Sequence, residues 1–356
     1  MNIPQVKKRM DFLDIAKGIG IILVIIGHAF RDEMRIESAF CEFVYQAVYF
    51  FHMPLFFAIS GVTFGLSYQK YVKTPLLFVK RKVLTQIVPV LAYATAMYVC
   101  FLVAFQIPMF QQALSATDYR LYSFWEYLEL TAFWNNPYSV HLWYLWVLFI
   151  ASIMAFLFLR CVAGKPKADL YFAAGALVLY VLHFLFSMPY VLERLFEYTA
   201  YFAMGMLLSS RLELLQRKSK VLSGAILICC VFLPVYCALN ATGFNWGILN
   251  QPHLLACWQL ICNAFVIFGI LRLSCKLENC KPLLYCGKES YNIYLLHQPF
   301  CCGFVGVILY NKLGLSALPV YVICCVLSIL VPAAFVAVCR RCKPIGKLAK
   351  HLLNIT

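Results

Sequence analysis

Lys17 and His28 lie in one continuous apolar run, residues 15–30, and these are the two side chains best placed to do chemistry. Ionisable groups within a membrane span are expensive to bury and mark functional sites by default. Eleven positions apart, they differ by about 20° around a helix and about 16 Å along its axis. One helical face therefore carries a cation near one membrane surface and a proton acceptor near mid-bilayer. That layout suits a reaction between an anionic compound on one side and a second reactant reached from within the membrane. Neutral imidazole titrates close to working pH and can take a proton from a hydroxyl. Read singly, Lys17 also fits an interfacial lysine snorkelling to the cytoplasm, and His28 a structural histidine bonded to a neighbouring span. Sharing one stripe, they favour function.

Other polar residues fall in the same apolar background. Asp14, three residues before Lys17, can pair with it and steady the cation at the inner boundary. A second span contains Phe51-His52-Met53-Pro54, which puts His52 at about the depth of His28. His52 is then a second catalytic group or the partner that orients His28, the orienting role being favoured. Pro54 lacks a backbone donor, so it frees a carbonyl that must line something polar or be buried in protein. A later span reaches His297-Gln298-Pro299, again a histidine followed by a helix-breaking proline. His141-Leu142-Trp143-Tyr144 opens another, with Trp143 and Tyr144 suited to an outer aromatic belt. His183 reads as packed. No His or Cys spacing matches a metal site, so none is expected, and neither a phosphate loop nor a serine-hydrolase elbow occurs.

The elements that must position these groups are membrane helices. Of the 356 residues 63% are hydrophobic and only 13% charged, with mean hydropathy +0.80, which excludes a soluble globular domain. About ten spans are expected, at 15–32, 43–66, 83–106, 140–160, 169–187, 195–210, 220–239, 254–274, 291–310 and 319–339. The first reads as a retained span, since no small-residue cleavage site follows it. Most of the 30 lysines and arginines fall on the side of the N-terminus. Only Arg31, Arg35, Arg120, Arg194 and Lys312 lie on the other, so both termini are expected in the cytoplasm. The net charge of +15 is thus topological and no nucleic-acid partner is expected, although the inner loops would attract polyanions. The 17 cysteines lie mostly inside apolar spans as small hydrophobes. Residues 107–139, rich in Phe, Trp and Tyr, read as an extracytoplasmic interfacial segment. Residues 340–356 read as a basic cytoplasmic tail.

Taken in order, these segments resemble the acyltransferase-3 family of integral-membrane acyltransferases almost end to end. Arg9, Asp14, Lys17 and His28 stand as in that family's opening signature, in which a cation precedes the histidine by eleven positions. The stretch from Phe51 to Gly61 is similar to its second-span motif. His141-Leu142-Trp143-Tyr144-Leu145, Tyr201-Phe202-Ala203-Met204-Gly205 and Tyr291-Asn292-Ile293-Tyr294-Leu295-Leu296-His297 follow in the family's order. One position departs. The family often carries Arg three residues before the proline of its third span, whereas here Gln86 precedes Pro89. Arg81 and Lys82, just upstream, could replace that cation.

The resemblance implies a single all-α membrane domain over 1–356, the stand-alone form, in the inner membrane of a bacterium. It also implies transfer of an acyl group, often acetyl, from cytoplasmic acyl-CoA to a hydroxyl of a sugar or glycolipid. No permanently bound cofactor is implied, acyl-CoA being a co-substrate. His28 would be general base or transient acyl carrier, with Lys17 and His52 beside it in catalysis. Lys17, Arg81 and Lys82 would meet the donor phosphates, and Asp14, His297, Trp143 and Tyr144 would support. From another class, a transporter or flippase of a lipid-linked sugar would also need a polar path. A proton-coupled carrier usually needs embedded carboxylates, however, and Asp14, Glu193 and Glu197 sit near span ends. Acceptor identity, acyl length and oligomeric state are not legible in the sequence.

Overall fold

The structure, a computed structural model, describes residues 10–115, 120–163, 165–247, 251–298 and 300–354. It is 84% helical, with no strand among the described residues, and the protein is an all-α, polytopic membrane protein. In chain order come α1 (Asp11–Ala29), α2 (Asp32–Glu37), α3 (Ala39–Ser67), α4 (Pro75–Lys82), α5 (Val88–Ala104), α6 (Pro108–Ser115), α7 (Phe124–Ala132) and α8 (Trp143–Cys161). There follow α9 (Ala168–Leu185), α10 (Tyr190–Ser209), α11 (Lys220–Ala241), α12 (Pro252–Lys276), α13 (Lys281–Lys288), α14 (Ser290–Leu296), α15 (Val305–Val307), α16 (Ala317–Arg341) and α17 (Lys343–Leu353).

Among the described residues, eight helical stretches are long and apolar enough to cross a membrane, or nine when a bent pair is taken as one span. Each of the ten expected spans is helical, but two are not plain spans. α10 covers the expected span at 195–210 as far as Ser209, yet Glu193, Arg194 and Glu197 interrupt its apolar sequence, and it is not among the eight. The ninth is the bent pair itself: Ser290–Leu296 and Phe300–Lys312 meet at 56°. The break falls between Leu296 and Phe300, where the sequence carries a proline, a residue type that cannot donate to the helical ladder; Pro299 itself lies outside the described residues, as does Arg9.

α1 is the central pillar, packed on α3, α12, α13, α14 and α16. Glycine brings two of the helix pairs into backbone contact. A Cβ on Gly18 would run into the Leu283 carbonyl, and one on Gly287 into that of Asp14, so α13 lies directly against the N-terminal half of α1. Likewise a Cβ on Gly61 would meet the Phe202 carbonyl, and one on Gly205 that of Ala58, which closes α3 on α10. Small residues serve this purpose in membranes, where packing must replace the hydrophobic effect between helices.

Two prolines leave carbonyls that neighbouring helices satisfy. Pro54 sits inside α3, and the Phe50 carbonyl four residues earlier accepts a 3.1 Å bond from Asn263 Nδ2 of α12. Before Pro89, residues Val83–Ile87 form a π-helical turn in which the Val88 N–H reaches back to the Val83 carbonyl. The Thr85 carbonyl, which Pro89 cannot serve, accepts from the Tyr291 hydroxyl at 3.2 Å. α6 and α7 fall within residues 107–139, and α7 packs on α5. There Trp125 and Phe133 are exposed while Tyr127 and Tyr138 are buried. The basic tail is a helix, α17, packed on α16 and α5.

Candidate active site

In the N-terminal half of α1, Lys17 Nζ lies 3.3 Å from Asp14 Oδ1. Asp14 is buried where α13 crosses, whereas the Lys17 side chain keeps 31% exposure. The carboxylate thus holds the ammonium in place without covering it. One residue beyond Gly287, Lys288 brings a second cation to the same mouth. Both lysines line a cavity of about 310 Å³ between α1, α3, the π turn, α8 and α14. Its wall runs from Lys17 and Lys288 past Gln86 and Tyr144 to Val24 and Met53. Tyr144 and Ser60 share a 2.8 Å hydrogen bond there.

His28 stands one turn beyond Val24, about 6 Å further along α1, and is not itself in the cavity wall. Its Nδ1 lies 3.0 Å from Nε2 of His297, and the Gln298 carboxamide nitrogen lies 3.1 Å from the same atom. The far side of His297 fixes the proton positions. His297 Nδ1 faces two backbone carbonyls, Ile293 at 3.1 Å and Tyr294 at 2.8 Å, so it carries a hydrogen and donates. In the neutral ring Nε2 must then accept. His28 Nδ1 therefore donates to His297, which leaves His28 Nε2 as the basic nitrogen. With the Gln298 carboxamide turned oxygen-first, it accepts from the same Nδ1–H.

A shell of aromatic hydroxyls holds the 293–298 segment that delivers His297. The Tyr294 hydroxyl donates to the His141 carbonyl, and the Tyr93 hydroxyl to that of Gln298. The His141 ring stands edge-on to His297 at 5.3 Å. His52 is also buried, but its Nδ1 lies 2.8 Å from the Val48 carbonyl of its own helix. Tyr49 stands beside both rings, 4.9 Å from that of His52 and 6.1 Å from that of His28. The histidine bonded to His28 is therefore His297, not His52. Among the described residues no group of three or more His, Cys, Asp or Glu is arranged to hold a metal ion.

Of the remaining expected site residues, Tyr144 lines the lysine cavity, while Asp14 pairs with Lys17 without lining it. Arg81 and Lys82 do not line it. The Arg81 guanidinium donates to the Tyr71 hydroxyl at 2.6 Å, and the Lys82 ammonium sits 5.6 Å from the Phe78 ring. Trp143 packs instead against Tyr198 and Phe57, under the Arg194 guanidinium at 4.0 Å. Sequence reasoning missed Lys288, Gln298 and His141. Lys288 falls outside any apolar run, and His141 was counted to the outer surface. The 3₁₀ turn Pro137–Leu142 carries it inward to 5% exposure.

The geometry is that of a buried histidine pair one helical turn beyond a cavity lined by two lysines. Residues 10–337 match the family model described as Acyltransferase domain, the acyltransferase-3 model. The chain belongs to that family, and it is a membrane acyltransferase. No curated protein and no solved structure matches it.

Proposed function

We propose that the protein moves an acyl group, acetyl, from cytoplasmic acyl-CoA to a hydroxyl of a cell-surface or lipid-linked carbohydrate. The setting is a bacterial inner membrane, with both termini in the cytoplasm. The observation that carries this reading is the His28–His297 pair standing one turn above a cavity whose mouth holds two lysines. From phosphate oxygen to sulfur the arm of a CoA thioester is about twelve bonds, about 14 Å when extended at the spacing of a polypeptide backbone. Lys17 and His28 are about 16 Å apart along α1. The match lets one donor hold its phosphates at Lys17 and Lys288 while its thioester reaches His28. At 310 Å³ the cavity is at the small end for ligand sites, suited to the linear arm and not to the nucleotide. The nucleotide stays outside, against the basic cytoplasmic surface.

In the reaction His28 Nε2 takes the acceptor hydroxyl proton as the oxygen bonds to the thioester carbon. The C–S bond then breaks, and the thiolate leaves with the proton from His28. His297 accepts from Nδ1–H throughout, so it keeps the base in one tautomer and stabilises the imidazolium. Purified protein incubated with radiolabelled acetyl-CoA and a pool of surface glycans should put label into glycan, and His28→Ala should not. Near-wild-type turnover by His28→Ala would overturn the mechanism. Absence of donor binding would turn attention to transport of a lipid-linked sugar.

A further inference from the structure

Around the lysine cavity, most polar side chains are already satisfied. Ser60 and Tyr144 bond each other, the Thr85 hydroxyl donates to the Arg81 carbonyl, and the Tyr291 hydroxyl donates to the Thr85 carbonyl. The buried Gln86 is not. It lines the cavity at 6% exposure, yet its Oε1 has no hydrogen-bond partner among the described residues. A buried carbonyl oxygen without a donor is costly, and one in the wall of a cavity is matched by a ligand that brings an N–H. The backbone there is a π-helical turn, a local distortion of the kind that recurs at functional sites.

We infer that Gln86 is a donor-recognition residue, its side-chain oxygen accepting an amide N–H from the arm of the acyl-CoA. This rests on the acyl-CoA reading above and adds a specificity element to it. Between its phosphate end and its thioester the arm carries two secondary amides, so an acceptor in this wall discriminates an amide-bearing arm from a hydrocarbon chain of equal length. A carboxamide suits the place better than a cation does. The phosphates already have Lys17 and Lys288, and a guanidinium buried as deeply as Gln86 would need a counter-charge. Mutagenesis at this position should therefore move affinity for the arm, not affinity for phosphate.

The test is equilibrium binding of acetyl-CoA, and of two analogues in which one or the other amide N–H is replaced by an ester oxygen, to the full-length detergent-purified protein. Wild type should lose about tenfold in affinity for one of the two analogues, the range for a neutral hydrogen bond left unmade in a buried site. Gln86→Met, similar in volume but without the acceptor, should lose about tenfold for acetyl-CoA and no longer distinguish that analogue. Without ligand it should melt no lower than wild type, since it removes an unsatisfied oxygen. Wild type binding all three compounds equally would overturn the inference, and so would discrimination that survives in Gln86→Met. Failure of wild type to bind acetyl-CoA at all would instead overturn the donor reading on which it stands.

Discussion

At His28 the two ring nitrogens do different work, and the division is made 269 positions away in sequence. The carbonyls of Ile293 and Tyr294 accept from the Nδ1–H of His297, and that choice propagates to His28, leaving its Nε2 for the base role proposed here. His297→Ala should therefore lower kcat by about a hundredfold or more, within the range of general-base effects, and leave the KM for donor near wild type. A large rise in donor KM with kcat intact would reject the positioning role. Lys17 predicts the opposite split. Lys17→Ala should weaken donor binding about tenfold or more, as expected for a charge-assisted contact, and an unchanged KM would reject it. Both groups of α1 were legible in the sequence because a charge in an apolar run is conspicuous. The partner of His28 was not. Counting residues in from a membrane surface gives depth, which put His52 level with His28, but it gives no rotation about the helix axis. His52 turns to its own Val48 carbonyl, and His297 fills the place.

Helices here are set by what the backbone can approach. Gly61 and Gly205 let α3 and α10 touch through their carbonyls, and α3 carries Ser60 and Met53 into the cavity wall. Gly205→Val should cost at least about 1–3 kcal/mol by overpacking, read as a lower unfolding temperature in detergent. A variant as stable as wild type would show that the contact is slack. Asn263 plays a comparable part through a hydrogen bond. Asn263→Leu removes the donor to the Phe50 carbonyl that Pro54 frees, and should cost about 1–3 kcal/mol. No change in unfolding temperature would mean that the carbonyl finds another partner. The sequence shows that Pro54 needs such a donor, but not which of the other helices brings it.

Across the whole molecule, the asymmetry of Lys and Arg predicts where each loop lies. In a chain freed of native accessible cysteines, Trp125→Cys should react with a membrane-impermeant thiol reagent on intact cells, and Lys281→Cys only after permeabilisation. The reverse labelling would invert the topology and set the lysine mouth on the wrong side for a cytoplasmic donor. The same architecture explains the internal arrangement. α1 stands at the centre, α13 closes on its N-terminal half, and the bent pair that α14 opens brings a histidine against its other half.

By itself the sequence determined the all-helical membrane class, the expected spans, the family, and the two ends of the candidate site at Lys17 and His28. Those follow from composition and from period along one helix, which are local properties. Only the tertiary structure decided that His297 pairs with His28, that Lys288 joins Lys17, that Arg81 and Lys82 lie off the cavity, and that Gln86 is left with an open acceptor. Each depends on the azimuth and crossing of helices far apart in the chain, set by glycine contacts and by the carbonyls that prolines leave free.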